Sequence, residues 1–353
     1  MIDIKKLFIK KETSLKDALK KLNTGAKKNL FVVDENNCLY GALTDGDIRR
    51  WIIKKGNIEG SVAEVCNREP VSVYRNYDLE NVKTVMVKKN IDAIPIINKE
   101  KVIIDLLHWS KVFTKDEKVE YEQISLPVVI MAGGRGTRLD PFTRILPKPL
   151  IPIGDKPIIE LIMDNYSKFG MRDFIISINH KGKMIKAYFE DAVTNYRLSY
   201  LNEEKPLGTA GSLKLLSGKL KSSFFVSNCD IIIETDYSQI FEFHKSGGFD
   251  LTLIASMKNY TIPYGVCEIK GEGELGILKE KPEYDFLINT GMYLLEPEVL
   301  EFIPENIFYH ITDLINELKK QGKSIGVYPV SENSYIDVGQ WEEYKTAVKK
   351  ISG

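Results

Sequence analysis

The sequence predicts a two-part α/β protein, in which a mostly parallel sheet flanked by helices follows a smaller α/β pair of repeats. Three observations predict it. Apolar runs alternate with amphipathic stretches from residue 127 onward, which is the pattern of a parallel sheet covered on both faces. The first of those runs, Val128–Met131, breaks directly into a glycine-rich turn, 133–138, GGRGTR. Ahead of it, the first part of the chain repeats itself at an offset of about 64 residues.

Composition narrows the class. The chain has 353 residues, enough for two domains, with 43% hydrophobic and 28% charged residues. Lys+Arg and Asp+Glu are 49 each, so the charge balance calls for neither nucleic acid nor an anionic membrane. Cys38, Cys66, Cys229 and Cys267 are far apart and form no CxxC pair, which argues against a disulfide framework or zinc site and fits a reducing cytoplasm. The lysine-rich start lacks the apolar core of a signal peptide, and no apolar run approaches the ~20 residues of a membrane span.

In the repeats, Leu15 aligns with Leu79, and Leu30, Phe31, Val32 and Val33 align with Ile94, Pro95, Ile96 and Ile97. Each copy reads helix, strand, strand, helix. Ser14 and Asp17 form a capping-box pattern, and Leu15, Ala18, Leu19 and Leu22 make one helical face. Two short strands follow, over Asn29–Val33 and 39–43, joined by the turn residues 34–37, DENN. The first copy ends 41–47, GALTDGD, which resembles the signature of a CBS domain, a module that works in pairs and often binds adenosine nucleotides. The resemblance implies Thr44 facing a phosphate and Asp47 a ribose diol, since one carboxylate accepts from both hydroxyls. The second copy departs at these places, with Asp105, His108 and Lys111 where the first has Gly41, Thr44 and Asp47. At most one cleft then keeps that chemistry. The alternative is that Thr44 and Asp47 only cap a helix and that the pair serves dimerisation. Residues 114–125, TKDEKVEYEQIS, read as a linker, giving expected domains 1–122 (repeats 1–60 and 61–118) and 123–353.

In the second domain, 157–169 reads as a helix with Pro157 at its start and Gly170 past its end. A strand over Asp173–Ile178, a helix over 183–189 and a strand over 224–227 follow. Ligands of such sheets sit at the carboxyl ends of the strands. The glycines after Val128–Met131 let backbone N–H groups approach an anion, and Arg135, Arg138 and Lys148 bring positive charge. The loop is neither a Walker A motif nor a dinucleotide fingerprint. The stretch 126–152 instead resembles the signature of the sugar nucleotidyltransferases (nucleotide-sugar pyrophosphorylases), a family with a Rossmann-like domain, and the likeness continues to the C-terminus.

That resemblance implies roles for further residues. Asp230, after the apolar strand in 226–230, VSNCD, and Asp337, in 334–339, SYIDVG, stand where the family binds Mg2+. Two carboxylates suit that hard cation, which keeps phosphate and water ligands. Cys229 replaces the usual glycine and reads as a small buried residue. Arg138 and the loop residues Gly133, Gly134, Gly136 and Thr137 hold the triphosphate, and Lys148 and Lys281 neutralise phosphates. The segment 204–211, EKPLGTAG, with Glu204, Gly208 and Thr209, lies against the base, and its form is most similar to guanine-using branches. Gly265 lies against the sugar ring, Glu280 and Asn289 take sugar hydroxyls, and Thr290 belongs to the same segment. His180 reads as structural or as a substrate-edge contact, because an ionised phosphate nucleophile needs no base.

The implied reaction joins a nucleoside triphosphate to a sugar 1-phosphate, giving a nucleotide sugar and pyrophosphate. CBS pairs precede this domain among bacterial nucleotidyltransferases, including guanylyltransferases that supply amino-sugar precursors for nonulosonic acids. GTP and glucosamine 1-phosphate are therefore the expected partners, with an adenosine nucleotide at the CBS pair and a homo-oligomer. A uracil or thymine base with glucose or mannose is the rival, and so is an inactive nucleotide-sensing subunit. The latter is disfavoured because Arg138, Lys148, Asp230, Lys281 and Asp337 all remain. No hexapeptide repeat follows Asp337, so a fused β-helix acyltransferase is not expected.

Overall fold

The computed structural model describes residues 4–24, 29–89, 91–113, 121–192 and 195–352. The chain divides into two compact units, 1–120 and 121–353. Most of the expected linker, 114–120, lies outside the described residues.

The first unit holds β1 (Phe8–Ile9), α1 (Leu15–Thr24), β2 (Asn29–Val33), β3 (Leu39–Thr44) and α2 (Asp45–Lys55), then α3 (Val62–Val65), α4 (Leu79–Lys88), β4 (Ala93–Ile97), β5 (Ile103–His108) and α5 (Trp109–Val112). The starts of α4, β4 and β5 follow those of α1, β2 and β3 by 79−15, 93−29 and 103−39, each 64 residues. Leu15, Ala18, Leu19 and Leu22 bury the face the spacing predicts. Ser14 closes the N-terminus of α1, accepting from the Asp17 N–H at 3.1 Å and donating to its carboxylate at 2.7 Å. Phe31 and Val33 of β2 share one core cluster with Ala93 and Ile97 of β4 and Ile103 and Leu106 of β5. Each repeat thus covers part of the other's apolar surface.

The second unit opens with β6 (Val128–Met131), α6 (Phe142–Ile145), β7 (Pro152–Ile153), β8 (Lys156–Pro157), α7 (Ile158–Ser167), β9 (Asp173–Ile178), α8 (Gly182–Asp191), β10 (Arg197–Asn202) and α9 (Gly208–Gly211). It continues with β11 (Phe224–Asn228), β12 (Ile231–Ile233), α10 (Tyr237–Ser246), β13 (Leu251–Thr261), β14 (Val266–Ile269), β15 (Leu275–Lys279), β16 (Glu283–Leu295), α11 (Ile311–Lys320), β17 (Ile325–Val330), β18 (Tyr335–Asp337) and α12 (Trp341–Ser352). Seven strands form one sheet in the order β10-β9-β6-β11-β16-β13-β17. Of these, only β16 runs against the others. This is the mostly parallel α/β architecture the alternation predicts.

The sheet is buried on both faces, which explains the uninterrupted apolar runs. Val128 and Ile130 of β6 and Phe225 of β11 enter one core, while Val129, Phe224 and Val226 enter the other. Each such side chain contributes about 1.5–3 kcal/mol on burial. The chain leaves β6 toward β9 on one side, whereas β11 lies on its other side. That reversal of strand order opens a crevice at the carboxyl ends of β6 and β11.

Candidate active site

Met131 and Asn228, the last residues of β6 and β11, are paired in register, so the loops leaving them start side by side. From β6 comes the glycine loop. Gly136 has φ +67°, and a Cβ there would lie 2.9 Å from the Lys148 Cβ and 3.0 Å from the Thr143 Cγ2. Only glycine lets the loop fold that tightly on the segment that carries Lys148. A Cβ at Gly134 would meet open space. Thr137 and Arg138 start a short 3-10 turn, Thr137–Leu139, and both are exposed.

From β11 comes Asp230, which is 7% exposed, as is Lys148. The Lys148 ammonium donates to Asp230 Oδ2, and Arg138 Nη2 stands 3.9 Å from the same oxygen. The second carboxylate arrives on β18, which pairs antiparallel with β12 and sets Ile231 opposite Asp337. The Val338 N–H donates to the Asp230 carbonyl at 2.9 Å, and the Gly339 N–H to Asp337 Oδ1 at 2.6 Å. A Cβ on Gly339 would fall 2.8 Å from Asp230 Oδ2 and 2.8 Å from Asp337 Oδ1. The two carboxylates thus converge on a position no side chain can share. Burial pushes the Asp337 carboxyl above the usual carboxylate range; the Gly339 N–H opposes the shift and the Asp230 charge adds to it. A buried acid facing a second carboxylate at such close range is the environment a hard cation relieves. Among the described residues no cluster of three or more His, Cys, Asp or Glu forms a fuller cage. Cys229 is buried and its thiol is pushed up to about 12, first by burial and then by the Asp230 charge, so it stays protonated.

The remaining sequence candidates divide. Gly265 and Glu280 come together, because β14 and β15 pair so that Val266 faces Lys279, and a Cβ on Gly265 would lie 3.2 Å from the Glu280 carboxylate. Lys281 follows, exposed, with φ +42°. Asn289 accepts from the Gly291 N–H at 2.9 Å and donates to the Tyr293 hydroxyl at 2.8 Å.

Thr290 has a structural partner of its own. It is 2% exposed and its hydroxyl donates to the Ile254 carbonyl at 2.7 Å. The β13–β16 register slips there, from Leu253 opposite Tyr293 to Ala255 opposite Asn289, which leaves that carbonyl off the ladder. Thr290 thus satisfies the carbonyl at the bulge. The segment around Gly208 packs closely on the Tyr309 backbone. Gly208 has φ +79°, and a Cβ there would lie 2.6 Å from the Tyr309 carbonyl oxygen. Thr209 accepts from the Ile311 N–H at 3.0 Å, at the start of α11.

Glu204 is exposed, whereas its neighbour Glu203 is buried. Glu203 accepts from the Ser177 hydroxyl at 2.5 Å and the Leu207 N–H at 3.2 Å, and its carboxylate would stand 2.8 Å from a Cβ on Gly133. It is the carboxylate beside the glycine loop, and the sequence reading passed over it. The alternation of β10 continues one residue past its end and carries it inward: Leu201 is buried, Asn202 exposed, Glu203 buried. Asn179 holds the Glu203 carbonyl at 2.7 Å.

In the first unit Thr44 and Asp47 form a complete capping box on α2. Asp47 accepts from the Thr44 N–H at 2.8 Å and its hydroxyl at 2.7 Å, and also pairs with Arg50 at 2.5 Å. The cap is therefore formed in the structure.

Comparison with known proteins agrees with this architecture. The chain belongs to the nucleotidyl transferase family, whose pattern matches residues 127–352, and it carries CBS domains over 2–54 and 62–115. It is 33% identical over 231 residues to the mannose-1-phosphate guanyltransferase of Saccharomyces cerevisiae, covering 61% of this chain and 62% of that protein. It is 29% identical over 251 residues to the UTP–glucose-1-phosphate uridylyltransferase of Synechocystis, covering 64% and 63%. The chain spans about half to three fifths of the length of the curated relatives it matches. Among solved structures, HddC from Yersinia pseudotuberculosis superposes with a TM-score of 0.51 at 28% identity, over 64% of this chain and 99% of that one. A second structure of HddC, complexed with GMP-PN, has the same TM-score at 27% identity and the same coverage.

Proposed function

We propose that the unit 121–353 transfers a nucleoside monophosphate from a nucleoside triphosphate to a sugar 1-phosphate and releases pyrophosphate. The observation that carries the reading is the convergence of Asp230 and Asp337 on Gly339, with Lys148 and Arg138 beside them, at the strand ends below the glycine loop. Asp230 and Asp337 are the residues that would hold Mg2+. When bound, it supplies positive charge to the phosphate oxygens on which negative charge develops.

The protein's own work is positioning and charge neutralisation. Backbone N–H groups of 133–137 and the Arg138 guanidinium hold the triphosphate. Lys148 neutralises the phosphate nearest Asp230. Gly265, Glu280 and Asn289 orient the sugar, and Lys281 binds its phosphate. An oxygen of that phosphate attacks the α-phosphorus in line, and pyrophosphate leaves opposite. The attacking oxygen is already ionised near neutral pH, with a second phosphate pKa of about 6, so no side chain needs to take a proton.

The finer reading is guanylyl transfer from GTP. The guanyltransferase relative and the GMP-PN complex of HddC support the base. Glucosamine 1-phosphate is the first sugar to test and mannose 1-phosphate the second, the latter because of the yeast relative. An adenosine nucleotide at Thr44 and Asp47, a homo-oligomer and a cytoplasmic setting belong to the same proposal. Among the described residues no helix is long and apolar enough to cross a membrane. The test is pyrophosphate release with Mg2+ over a grid of nucleoside triphosphates and hexose 1-phosphates. A strong signal at GTP with glucosamine 1-phosphate supports the finer reading, one elsewhere in the GTP row corrects the sugar, one in the UTP row corrects the base, and an empty grid removes the transfer reading.

A further inference from the structure

Lys148 and Asp337 reach the site on segments far apart in sequence, and a contact outside the site joins those segments. The indole N–H of Trp341, at the start of α12, donates to the Asp140 carbonyl at 2.8 Å. Its ring lies 4.9 Å from that of Phe142. Asp140 is itself the anchor of a turn, accepting from the Thr143 hydroxyl and the Arg144 guanidinium at 3.1 Å each. Thr143 packs against Gly136, where a Cβ would be 3.0 Å from its methyl, so the turn forms the outer wall of the glycine loop. From the other side Lys181 donates to the Thr143 carbonyl at 2.8 Å.

We infer that Trp341 is a positioning residue that holds the nucleotide loop, 133–148, in register with the segment carrying Asp337. The inference rests on the transfer reading proposed above. Trp341 lies four residues beyond Asp337 and touches the turn rather than the carboxylates. Its indole N–H fixes one main-chain carbonyl in the middle of the loop, between Arg138 and Lys148. Without it the outer wall is held by the contacts of Phe142 with the ring at 341 and with Tyr344 and by Lys181, and the cationic side chains lose one fixed point relative to Asp337. The proposed sugar-contact residues Gly265, Glu280 and Lys281 flank β14 and β15, away from this turn in the chain, so the effect falls on the nucleotide.

The test uses the full chain with Trp341→Phe, which keeps a ring for Phe142 and removes the N–H. Backbone amide exchange, which needs no turnover, is expected to speed up at least about threefold in the segment 135–146 and to stay unchanged in β11. In the transfer assay the KM for the nucleotide is expected to rise about fivefold, the effect of one hydrogen bond, while the KM for the sugar phosphate stays within about twofold. Unchanged exchange in 135–146 overturns the inference whether or not the protein turns over substrate. Equal rises in both KM values with a general loss of protection also overturn it, because they mark a merely structural residue. An inactive parent protein with faster exchange in the variant removes the transfer reading and leaves the positioning contact standing.

Discussion

Asp230 neutralises a buried ammonium as well as facing the proposed phosphates. Asp230→Asn leaves Lys148, 7% exposed, without its counter-charge. Breaking a buried pair of this kind costs about 3–5 kcal/mol, so a lower Tm is expected together with a fall in pyrophosphate release of about 10³-fold. Lys148→Met tests the reverse case and is expected to lose rate on the same order; near-parental turnover in either variant contradicts the roles proposed for the pair. Thr290 separates contact from scaffold. Thr290→Val removes the donor to the Ile254 carbonyl and is expected to cost about 1–3 kcal/mol while leaving both KM values unchanged. A raised KM for the sugar phosphate in a stably folded Thr290→Val protein would make it a ligand contact as well. Glu203 shows why single positions were hard to read. Asn202, Glu203 and Glu204 are three polar residues in a row, and only the end of β10 at Asn202 and the alternation continued past it show which of them turns inward.

A buried polar cluster at one end of the sheet ties α10 to the ends of β11, β13 and β16. His244, fully buried, meets the Thr252 hydroxyl at 2.8 Å through Nδ1 and Glu296 at 3.1 Å through Nε2. Glu296 also accepts from Lys245 at 2.7 Å and Ser223 at 2.9 Å. Burial lowers the His244 pKa below its ordinary 6.5, and the Glu296 charge only partly opposes this. A neutral ring that donates from Nε2 and accepts at Nδ1 satisfies the cluster. Because the folded value is depressed, the unfolded chain binds the proton first as pH falls. The stability held by the neutral ring is complete above about 6.5 and is lost progressively below it. Tm is therefore expected to fall more steeply between about pH 6.5 and 5 in the parent than in His244→Gln, and parallel profiles would contradict the neutral assignment. Burial works to raise the Glu296 carboxyl, but its three donors outweigh this and hold it below the usual range, so its own loss comes at more acid pH.

Regular elements were legible because local pattern and burial agree. β6 and β9 span the stretches their apolar runs mark, and the repeat offset survives in the folded elements. The helix expected over 157–169 is shorter, Ile158–Ser167, because Pro157 belongs to β8 and serves as its N-cap. The bulge at Ile254 and the Trp341–Asp140 bond were not legible, since both depend on segments that meet only after the sheet has formed.

At the scale of the whole molecule, two compact units share one chain. An adenosine nucleotide is expected to raise the Tm of the parent and to have little effect on Asp47→Ala; equal shifts in both proteins would place the nucleotide elsewhere. The capping box makes this a sharp comparison, because Asp47 already accepts from the Thr44 N–H and hydroxyl and from Arg50, and a ribose must compete with them. The central claim, that the chain transfers a nucleotidyl group to a sugar phosphate, is tested most directly by following labelled phosphorus. GTP carrying the label at the α or the γ position is incubated with Mg2+ and a hexose 1-phosphate. Label from the α position is predicted to appear in a nucleoside diphosphate sugar and label from the γ position in pyrophosphate. Release of the γ label as orthophosphate, or its transfer to the sugar, would contradict the account.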